Sequence, residues 1–143
     1  MAKSLTIETC TKGNIHTIID GINDYNLSNV AAVIDDIWTP LEFVVKDDKG
    51  DIIGGVLSGI GYWGGLEIKV LWVEEEHRNQ GIGKFILKYI ENRARQLGAT
   101  DCMLDTFDFQ ADYFYSKNGY KMIGKIDNFP KGHTRKYFAK KLL

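Results

Sequence analysis

The chain has 143 residues, 44% of them hydrophobic and 26% charged, and a formal net charge of −1. Such a length suits one ordinary domain, residues 1–143, with a core of real size. The near-neutral balance makes no electrostatic case for nucleic acid or for an anionic membrane.

Lys3, Thr6, Glu8 and Thr9 break up the N-terminal stretch, so no apolar signal segment is read there and a cytoplasmic location is expected. Leu5 to Thr9 reads as a first strand. Asn14 is placed to cap a helix carrying Ile15, Ile18, Ile19 and Ile22 on one face. A helical or loop segment then runs to Pro40. Phe43-Val44-Val45 and Ile52 to Ile60 read as strands, with Asp47-Asp48-Lys49-Gly50-Asp51 as the hairpin turn. The uncharged run from Ile52 to Leu66 is too short and too Gly-rich for a membrane helix.

Leu66 to Val73 is a third strand. The next helix spaces Ile82, Phe85, Ile86, Tyr89, Ile90, Ala94 and Leu97 along one face, and Gly98 stops it. Lys84, Lys88, Glu91, Asn92 and Arg95 occupy the other face, so this helix packs on a sheet on one side only. Asp101 to Thr106 is a strand, Phe109 to Lys117 a short helix ended by Asn118-Gly119, and Tyr120 to Ile126 and Arg135 to Leu142 are two more strands. Lys131, Arg135, Lys136, Lys140 and Lys141 read as a solvated basic face. Cys10 and Cys102 lack metal or redox spacing and are expected to be buried thiols, and three scattered histidines offer no metal cluster. Together the elements indicate a mixed α/β fold.

The segment from Val73 to Gly83 stands apart. Arg78-x-x-Gly81-x-Gly83 joins an apolar strand to an amphipathic helix, leaving backbone N–H groups unobstructed where the helix dipole favours anions. Glycine permits positive φ and close approach of a phosphate. A dinucleotide fingerprint would need glycine where Ile86 stands. A P-loop would need four residues between its glycines and Ser or Thr after Lys84, where Phe85 is found.

With Leu71-Trp72-Val73 before it, this turn resembles the cofactor motif of the GCN5-related N-acetyltransferase (GNAT) superfamily. Two further stretches carry the resemblance in the right order. One is Glu91-Asn92-Arg93-Ala94 with Gly98 and Cys102-Met103-Leu104. The other is Gln110-Ala111-x-x-Phe114-Tyr115-x-x-x-Gly119-Tyr120. The resemblance covers Phe43 to the C-terminus. It implies a mixed, mostly antiparallel twisted sheet flanked by helices, and transfer of an acetyl group from acetyl-CoA, without a metal, to a primary amine of a small molecule or peptide. A protein lysine, a polyamine, an amino sugar and an antibiotic amine are all open as acceptors. A non-catalytic acyl-CoA-binding sensor is the alternative. Homodimerisation through the C-terminal strands is a further implication.

The same resemblance assigns roles. The N–H groups of Asn79, Gln80, Gly81, Ile82, Gly83 and Lys84 would cradle the pyrophosphate, with charge from Arg78 and Lys84. Leu71, Trp72 and Val73 would offer backbone partners to pantetheine where their strand parts from the next, and an N–H of Leu71 or Trp72 would polarise the thioester carbonyl. Tyr115 would protonate the leaving thiolate. Glu67 would be a general base, direct or through water, although alternation equally permits an outward-facing strand residue there. His133 is a weaker candidate near the acceptor, Asp105 and Asp108 read as helix caps, and Tyr25, Asn26, Trp38 and Trp63 are candidates for the acceptor side.

Overall fold

A computed structural model describes residues 4–143. The chain divides into two compact units, Met1–Ala32 and Val33–Leu143. The first contains helix α1 (Lys12–Asn29). Its N-cap is Thr11 rather than Asn14, and the two form a reciprocal capping box. Asn14 N–H donates to Thr11 Oγ1 (3.1 Å) and Thr11 N–H donates to Asn14 Oδ1 (2.8 Å). Residues 5–9 form no strand. Leu5 and Ile7 alternate as a strand would, but among the described residues of the first unit there is no second strand to pair with them.

The second unit is a six-stranded sheet. It comprises β1 (Trp38–Lys46), β2 (Ile52–Gly61), β3 (Gly65–Val73), β4 (Asp101–Phe107), β5 (Lys121–Asp127) and β6 (Thr134–Lys141), in the order β1-β2-β3-β4-β6-β5. All pairs are antiparallel except β3–β4, which is parallel. A parallel pair needs a crossover, and helix α2 (Ile82–Gln96) provides it. Pro40 is tolerated in β1 because that strand lies at the sheet edge. The β1–β2 turn is set by Asp47, whose Oδ1 accepts the N–H groups of Lys49 and Asp51, both at 2.9 Å. A short helix α3 (Asp112–Lys117) joins β4 to β5.

The core lies between one sheet face and α2. Val56, Ile60, Leu66, Ile68, Cys102, Leu104 and Phe138 meet Ile86, Leu87, Ile90 and Ala94. Period-two burial in β4 shows the division, with Cys102, Leu104 and Thr106 inward and Met103 and Asp105 outward.

The buried stripe of α2 differs from the expected one. Phe85 and Tyr89 are exposed, whereas Leu87 and Glu91 are buried. Glu91 is 1% exposed and accepts from Tyr120 Oη (2.8 Å) and Lys140 Nζ (2.9 Å). Lys140 also donates to the Asn118 carbonyl (3.0 Å), so it belongs to the interior rather than to a solvated basic face. Burial of a carboxylate is tolerable only with such partners. Tyr120 lies against Cys102 as well, its Oη 3.3 Å from Sγ. Of the two cysteines only Cys102 is buried; Cys10 is exposed, and no disulfide joins them.

Burial pushes the Cys102 thiol up to about 12, pushes Tyr115 up to about 12, and raises Tyr120 further. All three hold their protons more tightly folded than unfolded. Below pH 9, the thiol's ordinary range, both states are protonated and the stabilisation is fully present. As pH rises toward 12 the unfolded chain ionises first, and stability is lost. The thermal midpoint is therefore expected to fall steadily from pH 9 upward, and less steeply in Cys102→Ala; an unchanged slope in that variant would refute the thiol's part.

Candidate active site

The β3–β4 ladder contains four pairs, Gly65↔Asp101 to Ile68↔Leu104, and ends there. Beyond Ile68, Leu71, Trp72 and Val73 pair with Val56, Gly55 and Gly54 of β2, while β4 continues beside β6. Two parallel strands thus part in mid-sheet, and among the described residues no strand lies beside the facing backbone edge of β3 from Lys69 to Val73. A bulge marks the same place: Ser58 pairs with Ile68 and Leu57 with Val70, leaving Lys69 as the extra residue. The parting therefore begins two residues before Leu71, the first position expected from the sequence.

An open cleft of about 300 Å³ lies at the parting, lined by Glu67, Lys69, Met103 and Asp105 among others. Glu67 lies beside Met103 in the ladder, on the sheet face away from α2, and is half-buried. Asp105 is not a helix cap. It pairs with Arg135, whose Nε and Nη2 both stand 2.6 Å from Oδ2. Arg135 in turn lies over Phe107, Phe129 and Tyr137 at 5.4–5.7 Å. Asp108 also serves another purpose than capping. It accepts from the Thr134 N–H (3.0 Å) and bonds His133 Nδ1 (2.9 Å), fixing that ring at the end of the β4–β6 ladder. Burial works against ionisation of Asp108, yet these bonds outweigh it and hold the carboxyl below its usual range.

Tyr115 sits on α3, half-buried, with its ring centroid 5.9 Å from Tyr120 and 6.0 Å from Phe138. Burial is the main cause of its raised pKa. The charges of Cys102 and of Asp105 on the cleft add to the rise. Its neighbour Phe114 faces the glycine turn: a Cβ built on Gly83 would lie 3.2 Å from the Phe114 ring. Helix α3 thus packs against the glycine turn through Phe114 and against the core through Tyr115.

The turn has the geometry that its glycines foretold. Gly81 is the N-cap of α2 at φ +82° and Asn79 is also left-handed, at φ 61°. No side chain caps this helix, and the first intrahelical bond runs from Phe85 N–H to Gly81 O (2.9 Å). The N–H groups of Ile82, Gly83 and Lys84 precede it and belong to the orphan donors of a helix start. A cradle with no Cβ at Gly81 and no competing side-chain cap fits a diphosphate. Arg78 Nε–H donates to the Val73 carbonyl (2.9 Å), which braces the strand end beside the turn. Among the described residues no cluster of His, Cys, Asp or Glu could hold a metal ion, and no helix is long and apolar enough to cross a membrane.

Of the acceptor-side candidates, Trp38 lies over Gly59 on the Glu67-bearing face. Trp63 is in the β2–β3 turn against Tyr62, and Tyr25 and Asn26 belong to the first unit, on α1. Sequence reasoning missed Lys69 and the Asp105–Arg135 pair. A basic residue inside an apolar strand was a signal for the first; for the second there was none.

Comparison with known proteins agrees with this geometry. Residues 40–122 match the family described as acetyltransferase (GNAT) domain. The chain is 32% identical over 96 residues to a blasticidin-S acetyltransferase of Streptomyces morookaense, covering 66% of this chain and 70% of that one. Its fold superposes on an acetyltransferase from Bacillus cereus with a TM-score of 0.85 and 34% identity, covering 96% and 97% of the two chains. An aminoglycoside 6'-N-acetyltransferase solved with coenzyme A shares the fold, with a TM-score of 0.63 and 21% identity over 73% of each chain. The glycine turn, the parted strands and these matches have one explanation: the chain belongs to the GNAT family of acetyl-CoA-dependent N-acetyltransferases.

Proposed function

We propose that the chain, acting as one domain, transfers an acetyl group directly from acetyl-CoA to a primary amine of a small molecule or peptide. The parting of β3 from β4 beside Glu67 carries this reading. The relative named for the antibiotic blasticidin S supports a small-molecule acceptor. When bound, acetyl-CoA supplies a thioester whose carbonyl carbon accepts an amine.

In this reading the amides of residues 79–84 hold the pyrophosphate, and Lys84 adds charge. Leu71, Trp72 and Val73 present their unpaired backbone edge to the pantetheine amides as an added strand would be met. An N–H at the bulge, Lys69 or Val70, is better placed to stabilise the oxyanion than one farther along β3, since the strands separate there. Glu67 takes a proton from the incoming ammonium. Tyr115 donates to the departing sulfur. With its pKa near 12 and a thiol's at about 8.5, full transfer of the phenolic proton would be uphill. Tyr115 therefore acts as a hydrogen-bond donor that stabilises the thiolate until solvent protonates it.

The test is a pH–rate profile with a slow amine for the wild type, Tyr115→Phe and Glu67→Gln. Tyr115→Phe is expected to lower kcat on the order of tenfold without changing acetyl-CoA affinity. Glu67→Gln is expected to lower the rate and to change its dependence on pH. Retention of both rate and profile in both variants would remove Glu67 and Tyr115 from the chemistry, whereas acetyl-CoA binding without turnover of any amine in a broad panel would leave an acyl-CoA sensor as the better reading.

A further inference from the structure

The sheet face that bears Glu67 extends over β2 to β1, and its side chains there have an unusual arrangement. Gly59 on β2 stands opposite Glu67 on β3. The Trp38 indole, from the start of β1, lies over Gly59. A Cβ built on that glycine would come within 2.2 Å of two indole carbons and 2.6 Å of the indole nitrogen. The strand thus omits a side chain at the one position where the ring rests. On the ring stands the ammonium of Lys69, its Nζ 5.1 Å from the centroid. Lys69 is the bulge residue of β3 and also lines the cleft. An aromatic face, a carboxylate-bearing neighbour and a mobile cation on a four-carbon stem therefore meet at the cleft's edge.

We propose that the Trp38 indole is a subsite for a second cationic group on the acceptor, and that Lys69 occupies it as a stand-in which such a group displaces. The inference rests on the acetyltransferase reading and narrows its substrate class to amines with two positive charges. Exchange of one cation for another over the ring preserves the local charge balance, so displacement of Lys69 exposes no uncompensated group. Lys69 can swing into solvent because it is an exposed residue.

The spacing between the two charges follows from the sheet. Strands lie about 4.8 Å apart, and the reacting nitrogen sits between β3 and β4 while the indole lies over β2, so the separation is roughly one and a half strand spacings, about 7 Å. Extended diamines of putrescine or cadaverine length match that span. A monoamine would reach Glu67 and the thioester but leave Lys69 on the ring.

The experiment compares kcat/KM for putrescine and cadaverine with that for butylamine and pentylamine, after correction for the diamines' two equivalent amines. The full fold-change of one cation–π contact at a partly exposed ring, about fivefold, is expected where no competitor holds the ring, and the wild type is expected to favour diamines by less, because each must displace Lys69. Trp38→Leu should bring the ratio close to unity, whereas Trp38→Phe should retain part of it. Lys69→Met should raise the ratio, because the competitor for the ring is gone. Equal ratios in wild type and Trp38→Leu, or a lowered ratio in Lys69→Met, would overturn the subsite and leave the acetyltransferase reading intact. A wild type that binds acetyl-CoA yet acetylates none of the four amines, nor any other, would overturn both.

Discussion

Gly81→Asp is expected to weaken acetyl-CoA binding at least about a hundredfold, because it sets a carboxylate against a diphosphate at close range, where like charges cost several kcal/mol. Gly81 is the better site for this variant than Gly83. Nothing lies within 4 Å of a Cβ built on Gly81, so charge can be introduced there without a clash. On Gly83 the same Cβ would press on the Phe114 ring at 3.2 Å and shift the helix that bears Tyr115. The left-handed φ of Gly81 adds a strain of about 1–2 kcal/mol for any L residue, and Gly81→Ala isolates that term. Calorimetric titration of wild type, Gly81→Ala and Gly81→Asp separates the two effects. Equal affinity in the Ala and Asp variants would show that no anion is held at this turn.

Lys140→Met is expected to destabilise the fold by about 3–5 kcal/mol, the usual consequence of removing one partner from a buried ion pair. Glu91 would keep Tyr120 as a donor and Arg95 at 4.0 Å, but lose its 2.9 Å ammonium while remaining 1% exposed. The Asn118 carbonyl at the end of α3 would lose a donor too. In urea, the midpoint should fall with little change in m. The double variant Glu91→Leu/Lys140→Met should recover much of the loss, since an apolar replacement of both partners removes the buried charge itself. A loss below about 1 kcal/mol for Lys140→Met would place this pair among surface bridges in energetic terms.

The strands and helices of the second unit were legible because their signals are local. Asp47 to Asp51 closes its hairpin through its own side chains, and Gly81 and Gly98 take the positive φ that the helix ends require. Glu91 was not legible as a core residue. Its place on the helical wheel is set by a tyrosine 29 residues away and a lysine 49 residues away, and periodicity contains no term for such partners. Asp105 and Asp108 looked like caps because they precede a helix, yet both are engaged by residues of β6. The glycine turn could be located from the sequence, but the cleft could not. The parting of β3 and β4 is a property of two strands whose last paired residues, Ile68 and Leu104, lie 36 positions apart, and only the bulge at Lys69 shows where it starts. For Leu5 to Thr9, alternation was a valid strand signal, but the described residues of the first unit include no partner strand.

The strand order β4-β6-β5 has a consequence for how the protein is made. Strand β5 pairs with β6 alone, and β4 depends on β6 for its second edge. As the chain leaves the ribosome, everything up to Asp127 can be present while β5 has no neighbour and β4 remains an open edge. Thr134–Lys141 then enters between them and closes the sheet in one step, bringing Lys140 to Glu91. Biogenesis therefore stays incomplete until the last strand clears the exit tunnel. During that interval the nascent chain displays an unpaired strand edge, the kind of surface that chaperones cover.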